Sequence, residues 1–289
     1  MRGSEREQGG IRVAVLGLGE AGSIYAQDLA GRGLRVTATD PAVEGAPPGV
    51  VRAGSISEAV AGAGLVLSLV GGHAAGPVLR EALPAMEPAA VFADLNTSGP
   101  DQKRRLADQA ARRDILFADV AILAPVPRNR IHSPLLISGT GADALASLFD
   151  GWGIPATAVG SEAGAAAGLK LLRSVFMKGL AATILEAVTA AEAAGAKDWM
   201  TGQIAGELGP SGPALVARML EGTRLHAVRR EAEMSEARAY LESLGAPHPV
   251  TDATIGWLRA LAHTDQAHSD QPHPDEAHPN GGRVADSPS

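Results

Sequence analysis

Lys170 lies in the small-residue stretch "GSEAGAAAGLKLLRS", with Arg173 and Ser174 three and four residues behind it. On a helix that spacing puts the three side chains on one face. An amine set among alanines and glycines can approach a ligand closely and exchange a proton with a hydroxyl or carbonyl oxygen, while Arg173 and Ser174 orient the rest of the molecule. The same residues, taken with Lys178, also describe a solvated stripe on an otherwise buried helix. A second pair, His226 and Arg230 in "RLHAVRREAEM", stands four residues apart. An arginine fork offers paired donors to a carboxylate or phosphate. Arg229, Arg230, Glu231 and Glu233 equally describe a salt-bridged, solvated face.

Near the amino terminus the strand-forming run "IRVAVL" leads directly into "GLGEAGS". Gly17, Gly19 and Gly22 make G-x-G-x-x-G between a predicted strand and a predicted helix. In that pattern Gly17 permits the tight turn. Gly19, flanked by Leu18, Glu20 and Ala21, lets the backbone approach a pyrophosphate, and Gly22 lets the helix pack on the strand. The helix that starts there turns unpaired N–H groups and a positive dipole end toward the phosphates. The next strand, "LRVTATD", ends at Asp40, near the distance expected of a carboxylate that accepts from ribose hydroxyls. A plain turn residue before Pro41 is the other reading. No Arg or Lys directly follows Asp40 to neutralise a 2′-phosphate, so NAD is expected, with NADP as the alternative.

Ligands of open α/β sheets lie beyond the carboxyl ends of the strands. That rule brings in Leu69 and Val70 after "LVLS", and Asn96 and Thr97 in "DLNTSGP". The last two are expected at the nicotinamide ribose or the substrate; alternatively the segment through Ser98 and Pro100 simply opens the next helix.

The elements that must position these residues follow from periodicity. From Ile11 to about residue 160, "IRVAVLG", "LRVTATD", "LVLSLV", "VFADL", "ILFADVAIL" and "PLLISG" alternate with helical patterns. This predicts βαβ units, a doubly wound and mostly parallel Rossmann sheet. Beyond residue 160 the chain turns Ala- and Leu-rich without evident strands, and one long helix is expected to end near Gly195. Later helices carry Ser211 or Thr223 as caps and Gly245 as a stop. The expected organisation is a disordered start at 1–10, an α/β domain at 11–160, an all-α domain at 161–263, and a disordered tail at 264–289. In that tail His263, His268, His273 and His278 recur at a spacing that matches no helix face, with weak metal binding as the minority reading.

Composition narrows the classes. With 289 residues, 45% of them apolar, the chain can bury a sizeable core. A formal net charge of −7 with interspersed signs leaves no footprint for nucleic acid or an anionic membrane. The absence of cysteine excludes thiolate chemistry and Cys-ligated metals. The polar start and the shortness of every apolar run lead us to expect a cytoplasmic protein with no membrane contact.

Taken together, "GLGEAGS", "DLNTS", "FADVAI" and the junction "GxxxGLK" resemble the β-hydroxyacid dehydrogenase superfamily, which includes 3-hydroxyisobutyrate and 6-phosphogluconate dehydrogenases. The resemblance runs from about Ile11 to His263. It implies a Rossmann domain joined by a long helix to an all-helical domain, a homodimer, and Lys170 as proton donor or acceptor, with Gly164 matching a glycine ahead of that lysine. Arg173 and Ser174 stand where the family usually has two asparagines. Asp119 to Pro125, "DVAILAP", stands where it has the substrate loop D-A-P-V-S-G-G, so Ile122 falls among the expected substrate contacts with Ser174, Arg173, His226 and Arg230. "KLLRSVFMKGL" and "RLHAVRREAEMSEA" look more like a branch whose helical domain is described as a C-terminal domain of phosphogluconate dehydrogenase, NAD-binding. The implied activity is hydride transfer between a nicotinamide cofactor and a small hydroxy acid or its keto counterpart. An imine reductase of the same architecture and a non-enzymatic dinucleotide-binding protein are the alternatives.

Overall fold

The computed structural model describes the backbone of residues 10–269 and side chains as far as residue 263. The amino-terminal segment and the His273 and His278 positions of the tail lie outside the described residues. The chain divides into two compact units, Met1–Arg173 and Ser174–Ser289.

Unit one opens with β1 (Arg12–Leu16), α1 (Glu20–Gly31), β2 (Arg35–Thr39), β3 (Val50–Arg52), α2 (Ile56–Val60) and β4 (Leu65–Ser68). It continues through α3 (Ala75–Ala82), β5 (Val91–Asp94), α4 (Pro100–Ala111), β6 (Leu116–Ile122), α5 (Val126–Asn129), β7 (Leu135–Ser138), α6 (Ala142–Gly151) and β8 (Ala156–Ala158). The strands form one sheet in the order β3-β2-β1-β4-β5-β6-β7-β8, parallel except where β7 runs against β6. Side chains of a strand alternate between faces, and here both faces are apolar. Val13 and Val15 of β1, Leu65 and Leu67 of β4 and Phe149 of α6 pack in one core. Ala14, Leu16, Val66, Phe92 and Phe117 pack in the other, under α2, α3 and α4. The chain leaves β1 toward one edge of the sheet and returns at β4 toward the other. That switch point is where such sheets bind ligands.

Two short strands, β3 and β8, escaped the sequence reading because three residues carry too little periodicity. Strand β7 runs antiparallel to β6 after a twelve-residue connection that carries the short helix α5.

The long helix α7 (Ala165–Ala193) begins in unit one. Unit two continues with α8 (Lys197–Glu207), α9 (Gly212–Leu225), α10 (Ala227–Ser243) and α11 (Pro249–Ser269). Gly195 and Gly245 take φ of 71° and 64° and stop their helices, as expected of left-handed C-terminal glycines. Other expectations change. Thr223 caps nothing: it is buried inside α9, and the break between helices falls at His226. Ser211 sits at the start of α9, but its side chain makes no capping hydrogen bond. Helix α11, expected to end at His263, runs on to Ser269, since no glycine or proline lies between His263 and Pro272. Among the described residues no helix is long and apolar enough to cross a membrane.

The α10–α11 turn is held by charges. Arg238 Nε lies 2.7 Å and His248 Nδ1 2.8 Å from the Asp252 carboxylate. The His248 contact first, and then Arg238, hold that carboxyl below its ordinary range. A lowered folded value means the stabilisation is fully present above the unfolded value of about 3.9 and is lost as pH falls through the folded one. Melting curves taken between pH 5 and pH 2.5 should therefore fall less steeply for Asp252→Asn than for the unaltered chain.

Candidate functional site

The glycine-rich turn is built as three separate steric demands. Gly17 has φ 94°, and a Cβ there would lie 2.6 Å from the Leu69 carbonyl oxygen and 3.0 Å from Val70 Cγ1. A Cβ on Gly22 would lie 2.0 Å from the Gly17 carbonyl oxygen, so α1 can start where it does only with glycine there. Gly19 differs, because a Cβ there would meet no protein atom within 4 Å. Its missing side chain serves no internal packing, which leaves open space against the first turn of α1. Glu20 is exposed beside it, and Ala21 is half-buried.

This difference gives a prediction. Gly22→Ala should lower both Tm and NADH affinity. Gly19→Ala should keep the native Tm while weakening NADH at least tenfold in a fluorescence titration, since only a ligand would meet the added methyl.

Asp40 follows β2 and is a turn residue there, with a second tie to the glycine loop. Its Oδ1 accepts from Ala42 N at 2.8 Å, closing the turn, and its Oδ2 accepts from Leu18 N at 2.7 Å, tying the turn to the glycine loop. Each carboxylate oxygen keeps acceptor capacity. Arg52 of β3 donates to the carbonyls of Asp40 and Val43, holding the loop after β2 from below.

Past β5, Asn96 is buried with both amide hydrogens used, donating to Ser68 Oγ at 3.0 Å and to Asp94 Oδ1. Its Oδ1 accepts from Gly71 N at 2.7 Å. Asn96 thus shapes the loops beyond β4 and β5. The next residue, Thr97, is exposed, and its hydroxyl accepts from Lys170 Nζ at 3.2 Å. The lysine reached through helical spacing and the threonine reached through the strand-end rule meet at the carboxyl edge of the sheet, the edge that also carries Gly17–Gly22.

Against known proteins, residues 12–135 match the family described as the NAD binding domain of 6-phosphogluconate dehydrogenase, and residues 191–261 match a domain of unknown function, DUF1932. A conserved hypothetical protein from Sinorhizobium meliloti 1021 is 33% identical, with 90% of each chain covered and a TM-score of 0.73. The chain belongs to the β-hydroxyacid dehydrogenase superfamily. Its fold is also that of 3-hydroxyisobutyrate dehydrogenase from Mycobacterium tuberculosis, solved with L-serine, at 22% identity, a TM-score of 0.73 and coverage of 90% and 95%. An uncharacterised 28.5 kDa protein of Methanothermus fervidus is 28% identical over 153 residues, 53% of this chain and 59% of that one. The chain therefore spans less than two thirds of the length of that curated relative.

Within this member of the β-hydroxyacid dehydrogenase superfamily, the dinucleotide residues expected from sequence stand around one strand edge. The expected substrate residues are spread more widely. Ile122 ends β6, half-buried and paired with Leu135. Arg173 is exposed. Ser174 is buried, and its hydroxyl accepts from Lys178 Nζ at 2.9 Å. Lys178 also pairs with Glu233 at 2.8 Å, so it is no part of a solvated stripe. His226 is exposed at the α9–α10 junction rather than in mid-helix. Arg230 lies over Gly222 and donates to Thr223 Oγ1 at 2.6 Å, and burial holds its guanidinium below the ordinary value.

Sequence patterns passed over the buried ions beneath the site. Lys103 of α4 reaches the Asp94 carboxylate at 2.9 Å and that of Asp119 at 3.2 Å, all three fully buried. A signal was available, since "VFAD" and "LFAD" each place an aspartate inside an apolar strand, where a carboxylate must find a partner.

Proposed function

We propose that the protein is an NAD-dependent oxidoreductase that transfers hydride between the cofactor and a small hydroxy acid or its keto counterpart, with Lys170 as the proton donor and acceptor. The observation that carries this reading is the Lys170–Thr97 contact at 3.2 Å on the edge that bears the glycine loop. The residues fit a dinucleotide: Gly19 leaves room that no internal packing fills, and Asp40 is oriented by two backbone donors with acceptor capacity to spare.

A bound nicotinamide ring supplies or accepts the hydride. Gly17 to Gly22 hold the pyrophosphate at the start of α1, and Asp40 accepts from the adenosine ribose, which favours NAD over NADP. Leu69 and Val70 line the ring's approach. Thr97 holds the Lys170 amine in place. In reduction the Lys170 ammonium donates its proton to the carbonyl oxygen as the alkoxide forms. In oxidation the amine takes the hydroxyl proton back. Arg173, exposed three residues beyond Lys170 on the same helix, is read as the group that orients an anionic substrate.

The chain is read as acting as a homodimer. Phe176, Leu225 and Val228 support this, being 66%, 72% and 66% exposed, large apolar surface for a helical unit to leave in water. Light scattering on the purified protein tests it.

The activity test is a screen of hydroxy acids, sugar acids and cyclic imines against NAD and NADP, followed at the absorbance of the reduced cofactor. Turnover of hydroxy acids with NAD is the expected result. Turnover of imines alone would replace the proposed reaction with C=N reduction.

A further inference from the structure

Asp94 and Asp119 occupy paired register positions on neighbouring strands β5 and β6, so two carboxylates stand side by side on one face of a buried sheet. Like charges so placed repel, and the arrangement needs a cation. Lys103 supplies it: its ammonium donates to the Asp94 carbonyl at 2.8 Å and forms ion pairs with the Asp94 carboxylate at 2.9 Å and the Asp119 carboxylate at 3.2 Å. Apolar residues of similar volume in such a place are often no less stable than a buried ion cluster.

Each carboxylate leads to one half of the Lys170–Thr97 contact. Asp94 Oδ1 accepts from the backbone N–H of Asn96 at 3.3 Å and from its side-chain amide, and the next residue is Thr97. Asp119 Oδ2 accepts from the backbone N–H groups of Gly164 at 3.1 Å and Ala167 at 3.0 Å, and from Ser138 Oγ, which itself accepts from Ala166 N at 3.0 Å. A carboxylate against the positive end of α7 is well placed electrostatically, and Lys170 follows Ala167 by three residues on that helix. Gly164, with φ 97°, has the Pro100 carbonyl oxygen 2.8 Å from where a Cβ would stand. The first turn of α4 thus presses on the start of α7 at the point Asp119 holds.

We propose that Lys103, Asp94 and Asp119 form an ionic strut that sets the reach of the Lys170 amine to Thr97, and that all three are positioning residues for proton exchange. The inference rests on the role given to Lys170 above, and its test is independent of turnover. The full chain is acylated with trace acetic anhydride across pH 7 to 10.5, and the rate at each lysine is read by mass spectrometry. The exposed Lys197 is the internal standard, and circular dichroism confirms folding.

The expected result is that Asp119→Asn and Lys103→Met raise the acylation rate of Lys170 relative to Lys197 at least threefold at pH 8, because its helix start is no longer pinned. Ser138→Ala should raise it less. Where Lys103→Met fails to fold, Asp119→Asn, which keeps the shape, carries the test, and Ser138→Ala carries it if both fail. Where a turnover assay exists, kcat should fall in the same order while KM for NAD holds within twofold. A folded Asp119→Asn protein whose Lys170 profile matches the unaltered chain overturns the strut. Lys170-dependent turnover beside an unmoved profile would overturn the strut and leave the function standing. A shifted profile without any turnover would do the reverse.

Discussion

Lys103→Met should lower the stability of the protein by about 3–5 kcal/mol, the usual cost of removing one member of a buried ionic group. The methylene stem is kept, so the loss reads the charge rather than a cavity. Lys103 is 1% exposed and both of its carboxylate partners are at 0%, which leaves water no access to replace the ammonium. Asp94 Oδ2 and Asp119 Oδ1 have that ammonium as their partner through ion pairing rather than aligned hydrogen bonds. Without it two adjacent carboxylates remain, one of them still receiving two backbone donors and a hydroxyl from Ser138. Pairing Lys103→Met with Asp94→Asn should recover part of the loss, because the one carboxylate left behind is then Asp119, which keeps its hydrogen bonds from Gly164, Ala167 and Ser138. Urea denaturation of the single and double variants measures both effects. A single variant within 1 kcal/mol of the unaltered chain would show that the triad contributes little to holding the sheet edge together.

Lys170→Ala should reduce kcat by about 10²- to 10⁴-fold on whatever substrate the screen finds, the usual contribution of a positioned acid or base. The amine sits at the end of a half-buried side chain and reaches the exposed Thr97 hydroxyl, so truncation removes a functional group without opening the core. NADH affinity should change less than threefold, since the glycine loop and Asp40 hang on β1 and β2. Single-turnover kinetics with premixed NADH separates the two quantities. NADH bound and shielded from solvent, with every detectable turnover unchanged in Lys170→Ala, would favour the dinucleotide-binding protein without catalysis.

The glycine turn and the strand ends around the candidate site are legible in the sequence itself. The three glycines differ in what surrounds them, yet all three reflect local backbone demands, and such demands are written in short sequence windows. Asp40 and Thr97 were reachable because the end of a predicted strand is a local feature and the carboxyl edge of a parallel sheet is where ligands sit. Lys170 was reachable through its small neighbours and through family resemblance.

What sequence alone determined is therefore the strand-and-helix alternation, the glycine turn, and the stop glycines at 195 and 245, each governed by residues within a few positions of one another. Tertiary structure alone decided the rest: which carboxylates share a cation, which polar residues are consumed in holding loops, and where α9 gives way to α10 at His226. Asp94 and Asp119 become neighbours only when β5 and β6 pair, and Lys103 becomes their counter-ion only when α4 packs over that pair. Such contacts depend on three-dimensional register, and the one-dimensional pattern records each of those residues without recording that they meet.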